Sequence, residues 1–145
     1  MAFYYNGIYV LECKYIMITE DFEKLVADSV KRLSEKTQKK MSNVAFLVED
    51  DIRSRRHGER DIKVLGTLLG LYEGIPRTKR GEGYTYVLPD KITIFQHPIE
   101  AMCGGDPERI KEMVYEVVWH EVGHHFGFGE DEIRKLENKR FRNKK

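Results

Sequence analysis

The sequence is poor in cysteine and contains no long apolar run. Its two cysteines, Cys13 and Cys103, are far apart in the chain, which excludes a disulfide framework and a CxxC motif. We interpret both as free thiols, which favours a reducing compartment. No apolar stretch approaches the roughly 20 residues of a membrane span, and the N-terminus lacks the features of a signal peptide. We therefore expect a cytoplasmic protein without membrane contact.

The sequence also lacks an excess of charge of either sign. Lys and Arg number 25 against 24 Asp and Glu, so neither nucleic acid nor an anionic membrane is favoured as a partner. The basic end, residues 139–145, is interpreted as a solvated tail. With 41% hydrophobic residues in 145, the chain can bury the core of one domain and does not resemble a disordered chain.

Apolar spacing predicts the elements of the first two thirds of the chain. Residues from Thr19 onward follow helical spacing behind an acidic first turn. Residues 43–48 form an apolar run of strand length. Residues 84–88 and 91–95 are rich in strand-forming residues and flank a Pro-Asp pair, which predicts a hairpin.

A long helix is predicted near the C-terminus. Asp106 and Pro107 are typical of a helix start, and Gly127 is typical of its end. A second helix is predicted from about Glu130 to the late 130s.

The clearest chemistry lies within this long helix, in the segment His120-Glu121-Val122-Gly123-His124. Residues four apart on a helix share one face, so both imidazoles can reach one metal ion. Glu121 follows His120 by about 100° around the helix axis and points toward the same cavity. This is the HExxH arrangement, in which two histidines bind zinc and the glutamate serves as general base for a water molecule.

A surface helix with incidental histidines is the alternative interpretation. Glu121 and His124, however, lie on the apolar stripe that runs from Ile110 to Val118. Burying an unpaired carboxylate costs several kcal/mol, so packing alone would favour Leu or Val at position 121. The stripe therefore favours a functional glutamate.

A third zinc ligand is expected beyond the helix, because such sites usually have three protein ligands and one open position. Gly127 can form a left-handed turn that brings the following acids back toward the metal. Glu130 is the leading candidate, since it occupies the place of the third histidine in HExxHxxGxxH proteases. Asp131 is the alternative and Glu132 ranks third. His125 is a candidate partner that supports a ligand or the transition state, or else a packed neighbour.

The chain resembles the small bacterial zincin-like metallopeptidases of the HExxHxxGxx[DE] type. The similarity spans roughly residues 18–136, and its recognisable pieces lie at 22–26, 43–45, 70–76, 88–95 and, most specifically, 120–127. It implies an α+β, minimal zincin-like fold, with a small mixed sheet, packed helices and a central HExxH helix. No methionine follows His124, so the Met-turn of the metzincins is missing, which leaves the pocket floor and the substrate undefined.

The resemblance also implies how a peptide is bound. In zincins an edge strand just before the HExxH helix pairs with an extended peptide by strand addition. Here that strand is expected to consist of Lys91, Ile92, Thr93, Ile94 and Phe95.

The resemblance divides the chain into three parts. Residues 18–138 are expected to form a single zincin-like domain, followed by the basic tail at 139–145. Residues 1–17 lie outside the similarity and are interpreted as an N-terminal extension, or as a misassigned start with Met17 as the true first residue.

These patterns predict a monomeric zinc-dependent metallopeptidase that hydrolyses peptide or protein substrates with Glu121 as general base. The alternative is a zinc-binding protein on the same fold that acts as an interaction module with little or no peptidase activity. The small size of the chain favours this alternative, since little sequence remains for an elaborate substrate cleft.

Overall fold

The computed structural model describes residues 2–5, 8–11, 17–52, 68–84 and 87–142, with side chains from residue 17 onward. Within these ranges it contains helices and a small mixed sheet, which confirms the α+β class. The helices are α1 (Thr19–Arg32), α2 (Glu35–Lys40), α3 (Gln96–Met102), α4 (Pro107–His125) and α5 (Glu130–Phe141), with a 3-10 turn at Arg77–Lys79. The strands are β1 (Ala2–Tyr5), β2 (Ile8–Leu11), β3 (Val44–Glu49), β4 (Gly70–Glu73) and β5 (Asp90–Phe95).

The three-stranded sheet has β5 in its middle. β3 pairs with β5 in parallel, with Val44 opposite Asp90, and β4 pairs with β5 antiparallel, with Gly70 opposite Ile94. The prediction that residues 91–95 form an edge strand is therefore wrong, because the backbone on both sides of β5 pairs with other strands. Among the strands described in this sheet, β3 and β4 lie at the edges.

The predicted hairpin of residues 84–88 with 91–95 is also wrong, because the antiparallel partner of β5 is β4. Residues 87–89 are not a strand, and the Leu88 side chain is 89% exposed. The side-chain amide of Asn43 donates hydrogen bonds to the carbonyls of Val87 at 3.3 Å and Leu88 at 3.5 Å. These two carbonyls therefore accept hydrogen bonds from a side chain, where the predicted hairpin had a strand. Residues 85–86 lie outside the described residues.

Helix α4 runs through the core, close to its predicted limits. It begins at Pro107, and the carboxylate of Asp106 accepts a hydrogen bond from the Glu108 amide at 3.1 Å, which satisfies a free donor of the first turn. α1 packs on the helix, as do β4, β5 and α5. Because neighbours cover several sides of the helix, Tyr115 and Val122 are buried together with the predicted apolar stripe.

At the C-terminal end, the structure extends into the predicted basic tail. Helix α5 continues past position 139, where Arg140 donates a 2.7 Å hydrogen bond to the Tyr115 hydroxyl. The Phe141 ring packs edge-on against those of Tyr115 and Trp119. The first residues of the predicted tail therefore pack on α4, whereas 143–145 lie outside the described residues. In the segment 1–17, β1 and β2 pair antiparallel.

Two further expectations concern cysteines and membranes. Cys103 is a buried free thiol, and Cys13 lies outside the described residues. None of the helices described is both long and apolar enough to cross a lipid bilayer.

Candidate metal centre

The two motif histidines lie on successive turns at the C-terminal end of α4. Their ring centroids are 5.0 Å apart, and the side chains of His120 and His124 are 25% and 21% exposed. Gly123, between them, allows α5 to approach closely, because a Cβ atom there would lie 3.1 Å from the side chain of Ile133. Helix α5 therefore packs directly beside the turn that carries the histidines.

The chain reverses direction at Gly127, directly after α4, as predicted. This residue has φ of 95°, in the left-handed region that favours glycine. Its amide donates to the His124 carbonyl at 2.9 Å, and the Phe128 amide donates to the Gly123 carbonyl at 3.1 Å, a common way to close a helix. A side chain at position 127 would collide with Thr78. The turn starts α5 at Glu130 and brings this acid back toward the histidines.

Glu130 faces both histidines. Its Oε1 atom lies 2.8 Å from His124 Nε2 and 3.4 Å from His120 Nε2. One possible ligand atom from each of the three residues lies within 4.8 Å of the others, and the described part of the chain holds no second such group. Asp131, the alternative third ligand, is exposed in the first turn of α5 and does not belong to this group.

The protein holds the opposite nitrogen of each histidine ring. His120 Nδ1 lies 2.7 Å from Glu137 Oε1, and His124 Nδ1 lies 3.0 Å from the carbonyl oxygen of Phe128. Because both partners are acceptors, each Nδ1 donates its proton to them. The Nε2 atoms face Glu130, where each can donate a hydrogen bond when protonated or bind a metal ion when neutral. Two imidazole nitrogens and a carboxylate oxygen are a usual ligand set of zinc. The residues present therefore fit a zinc ion.

Glu137 is a member of the site that the sequence analysis missed. It lies on α5 seven residues after Glu130, and helical spacing places both acids on one face with Ile133. Ile133 is fully buried, so this face must turn toward α4. Two acids flanking a buried isoleucine at helical spacing are the signal that could have identified Glu137.

The charges around His120 and Glu130 favour positive charge in this group. Burial alone would lower the pKa of His120, but the hydrogen bond to Glu137 and the charges of Glu121 and Glu137 outweigh burial and raise this pKa. Burial would raise the pKa of Glu130, but its contacts with His120 and His124 outweigh burial and lower it. The group therefore attracts positive charge, as a metal site does.

Glu121 is buried at the border between α4 and β4. Burial raises the pKa of its carboxyl group, while the charges of His120 and His124 and a hydrogen bond from the Tyr72 backbone partly oppose this. The net pKa lies above the ordinary value. The structure thus places one buried carboxyl group directly beside the two candidate ligands.

His125 is a packed neighbour, the second of the two roles considered for it, and does not contact the candidate ligands. It is fully buried, its Nδ1 lies 3.0 Å from Asp90 Oδ2, and its Nε2 accepts a 3.4 Å hydrogen bond from the Ser42 amide. Asp90 also accepts from the Tyr72 hydroxyl at 2.5 Å and from Arg80 at 2.7 Å. These contacts link α4 to β4 and to the start of β5, so His125 supports the packing around the site.

A pocket of about 540 Å³ opens beside the three candidate ligands. This volume lies within the range of roughly 300–1,000 Å³ that is typical of ligand sites. The walls come from β4 and the residues before it, from α4 and from α5. The pocket is lined by Leu68, Leu69, Gly70, Leu71, Tyr72, Met113, Glu116, Val117, His120, Glu121, His124, Glu130 and Glu137.

Comparison with known families supports the zincin-like architecture. The family of zincin-like metallopeptidases matches residues 41–140, which include β3, β5, β4 and the three candidate ligands. A comparison with curated proteins finds no match. Because the family match covers more than half of the chain and the fold agrees with it, the chain belongs to the zincin-like metallopeptidases.

Proposed function

We propose that the protein is a zinc-dependent peptidase in which His120, His124 and Glu130 hold the metal and Glu121 is the general base. Family membership implies a metal, usually zinc. The observation that carries the proposal is the convergence of the two Nε2 atoms on the Glu130 carboxylate. The protein is further proposed to act as a monomer, because one chain supplies all of these groups.

The proposed reaction is hydrolysis of a peptide bond by water. A zinc ion held by His120, His124 and Glu130 would supply a Lewis acid for the scissile carbonyl and would lower the pKa of water to about 7. Glu121 accepts a proton from the attacking water and passes it to the leaving amine. Glu137 and the Phe128 carbonyl hold the rings of His120 and His124 in orientation through their Nδ1 atoms.

The outer edge of β4 is the proposed docking surface for the peptide backbone. The Leu69 carbonyl accepts a 2.9 Å hydrogen bond from the Phe95 amide on β5. Antiparallel strands alternate the direction of their backbone groups, so those of Gly70 and Tyr72 point away from β5. The Tyr72 amide donates to the Glu121 carboxylate, so a peptide would pair through the Gly70 groups and the Tyr72 carbonyl. Both residues line the pocket. An extended peptide that pairs with this edge would pass beside Glu121.

The test compares peptide hydrolysis by the zinc-loaded protein and its Glu121→Gln variant, using a mixed peptide library read by mass spectrometry. Loss of general-base catalysis should reduce turnover by roughly 10²–10⁴-fold while zinc remains bound. Glu132→Gln, which removes an exposed acid of α5, should leave turnover unchanged. Tight zinc binding without turnover by the unmodified protein would instead favour the interaction module.

A further inference from the structure

Glu116 lines the pocket but does not belong to the candidate metal centre. It precedes His120 by four residues on α4, so it lies about 6 Å further along the same helical face. Its side chain is partly buried, and among the described residues it forms no ion pair with a basic group. The charged groups that act on it are two further acids, Glu137 and Glu112, which together with burial raise its pKa.

Much of the pocket lining is apolar. It includes Leu68, Leu69, Leu71, Met113 and Val117. A substrate side chain in this space would place a hydrocarbon stem against the wall and its polar end near the Glu116 carboxylate. Lys and Arg combine such a stem with a cationic end.

The charged residues described in the pocket lining also favour cations. Four glutamates line it, and no Lys or Arg occurs among its described lining residues. Glu137 and Glu112, the charged groups that act on Glu116, add to a negative field at this end of the pocket. Such a field attracts basic side chains and repels acidic ones.

We propose that Glu116 makes the pocket selective for peptides that carry a Lys or Arg side chain beside the scissile bond. This inference rests on the proposed peptidase function, because it assigns a substrate class to the same site. Glu116 is not part of the one candidate metal group found among the described residues, so the proposal assigns it no metal ion.

The test is binding of two matched peptides that differ at one position, arginine in one and its uncharged isostere citrulline in the other. Fluorescence anisotropy with the zinc-loaded Glu121→Gln protein measures affinity without turnover. The arginine peptide should bind about three- to tenfold more tightly, as expected for a partly exposed charge pair. Adding Glu116→Gln should abolish this difference.

Two further variants separate Glu116 from general effects of charge. Glu112→Gln removes the acid one turn earlier, which pairs with Arg32 at 3.0 Å and does not line the pocket, and should leave the preference intact. Glu116→Lys should prefer a glutamate-containing peptide over the arginine peptide. Thermal unfolding of each variant identifies any that fails to fold.

Three results would overturn the inference: equal affinity of the zinc-loaded Glu121→Gln protein for the two peptides, no measurable binding of either peptide, or a preference for arginine that survives Glu116→Gln. Failure of the proposed function gives a different pattern: the protein with intact Glu121 would cleave no peptide, while the Glu116-dependent preference for arginine would persist in binding.

Discussion

At the scale of single residues, the candidate centre depends on how the protein holds each histidine ring. Glu137 and the Phe128 carbonyl both bind an Nδ1 atom, which leaves the two Nε2 atoms to face Glu130. These contacts fix the ring orientation before any metal binds. Such preorganisation reduces the ordering that metal binding would otherwise require.

The carboxylate of Glu137 should strengthen zinc binding through His120. Glu137→Gln keeps the size of the side chain but removes the charge that supports the ring, so zinc affinity should fall by about tenfold. Competition with a chelator of known affinity measures this change. Glu132→Gln on the same helix, exposed and without contact to His120, is the control. Wild-type affinity in Glu137→Gln would refute the role assigned to this residue.

Asp90 should make stability depend on acid pH. Burial alone would raise its pKa, but hydrogen bonds from Tyr72, His125 and Arg80 outweigh burial and lower the pKa below 3.8. A carboxyl group whose pKa is lower when folded stabilises the protein above its ordinary pKa, and this contribution is lost as pH falls through the folded pKa. The metal-free protein should therefore lose stability below about pH 4.

The Asp90→Asn variant isolates this contribution. At pH 7 it should be less stable than wild type, because the charged acceptor of three side chains is lost. Since the variant has no proton to gain at this position, its stability should fall less between pH 5 and 3. Urea unfolding of both proteins across that range measures the difference, and parallel curves would rule out Asp90 as the source.

At the scale of elements, local spacing made the segment of the candidate metal centre predictable. The interval from His120 to His124, the glycine after the helix and the acid at Glu130 are all set within one short stretch of chain. The order of the strands was not predictable in this way, because β5 pairs with β3 and β4, both of which lie far earlier in the sequence. Glu137 was missed for the same reason, since its role depends on how α5 packs on α4.

Close packing of β4 on α4 should make Gly70 sensitive to substitution. A Cβ atom at this position would lie 2.6 Å from Val117 Cγ1 and 3.0 Å from Glu121 Cγ. Overpacking of this kind should lower the free energy of unfolding of Gly70→Ala by roughly 1–3 kcal/mol. Gly83→Ala is the control, because nothing lies within 4 Å of its added atom. Equal urea midpoints for the two variants would contradict the close packing of β4 on α4.

At the scale of the whole molecule, the site joins three parts of the fold. α4 carries the histidines, α5 returns Glu130 and Glu137, and β4 forms the opposite wall of the pocket. This agrees with membership of the zincin-like metallopeptidases, whose family match spans all three elements. We propose that these elements together create one zinc site from His120, His124 and Glu130.

The most direct test of this ligand set is the zinc dissociation constant of the unmodified chain and of four single variants, measured by chelator competition together with the metal content per chain. We predict one zinc ion per chain, loss of tight binding in His120→Ala and His124→Ala, and a loss of at least about tenfold in Glu130→Gln. Asp131→Asn, the neighbouring acid, should bind zinc as wild type does. Wild-type affinity in both histidine variants, or a loss in Asp131→Asn but not in Glu130→Gln, would contradict the proposed ligand set.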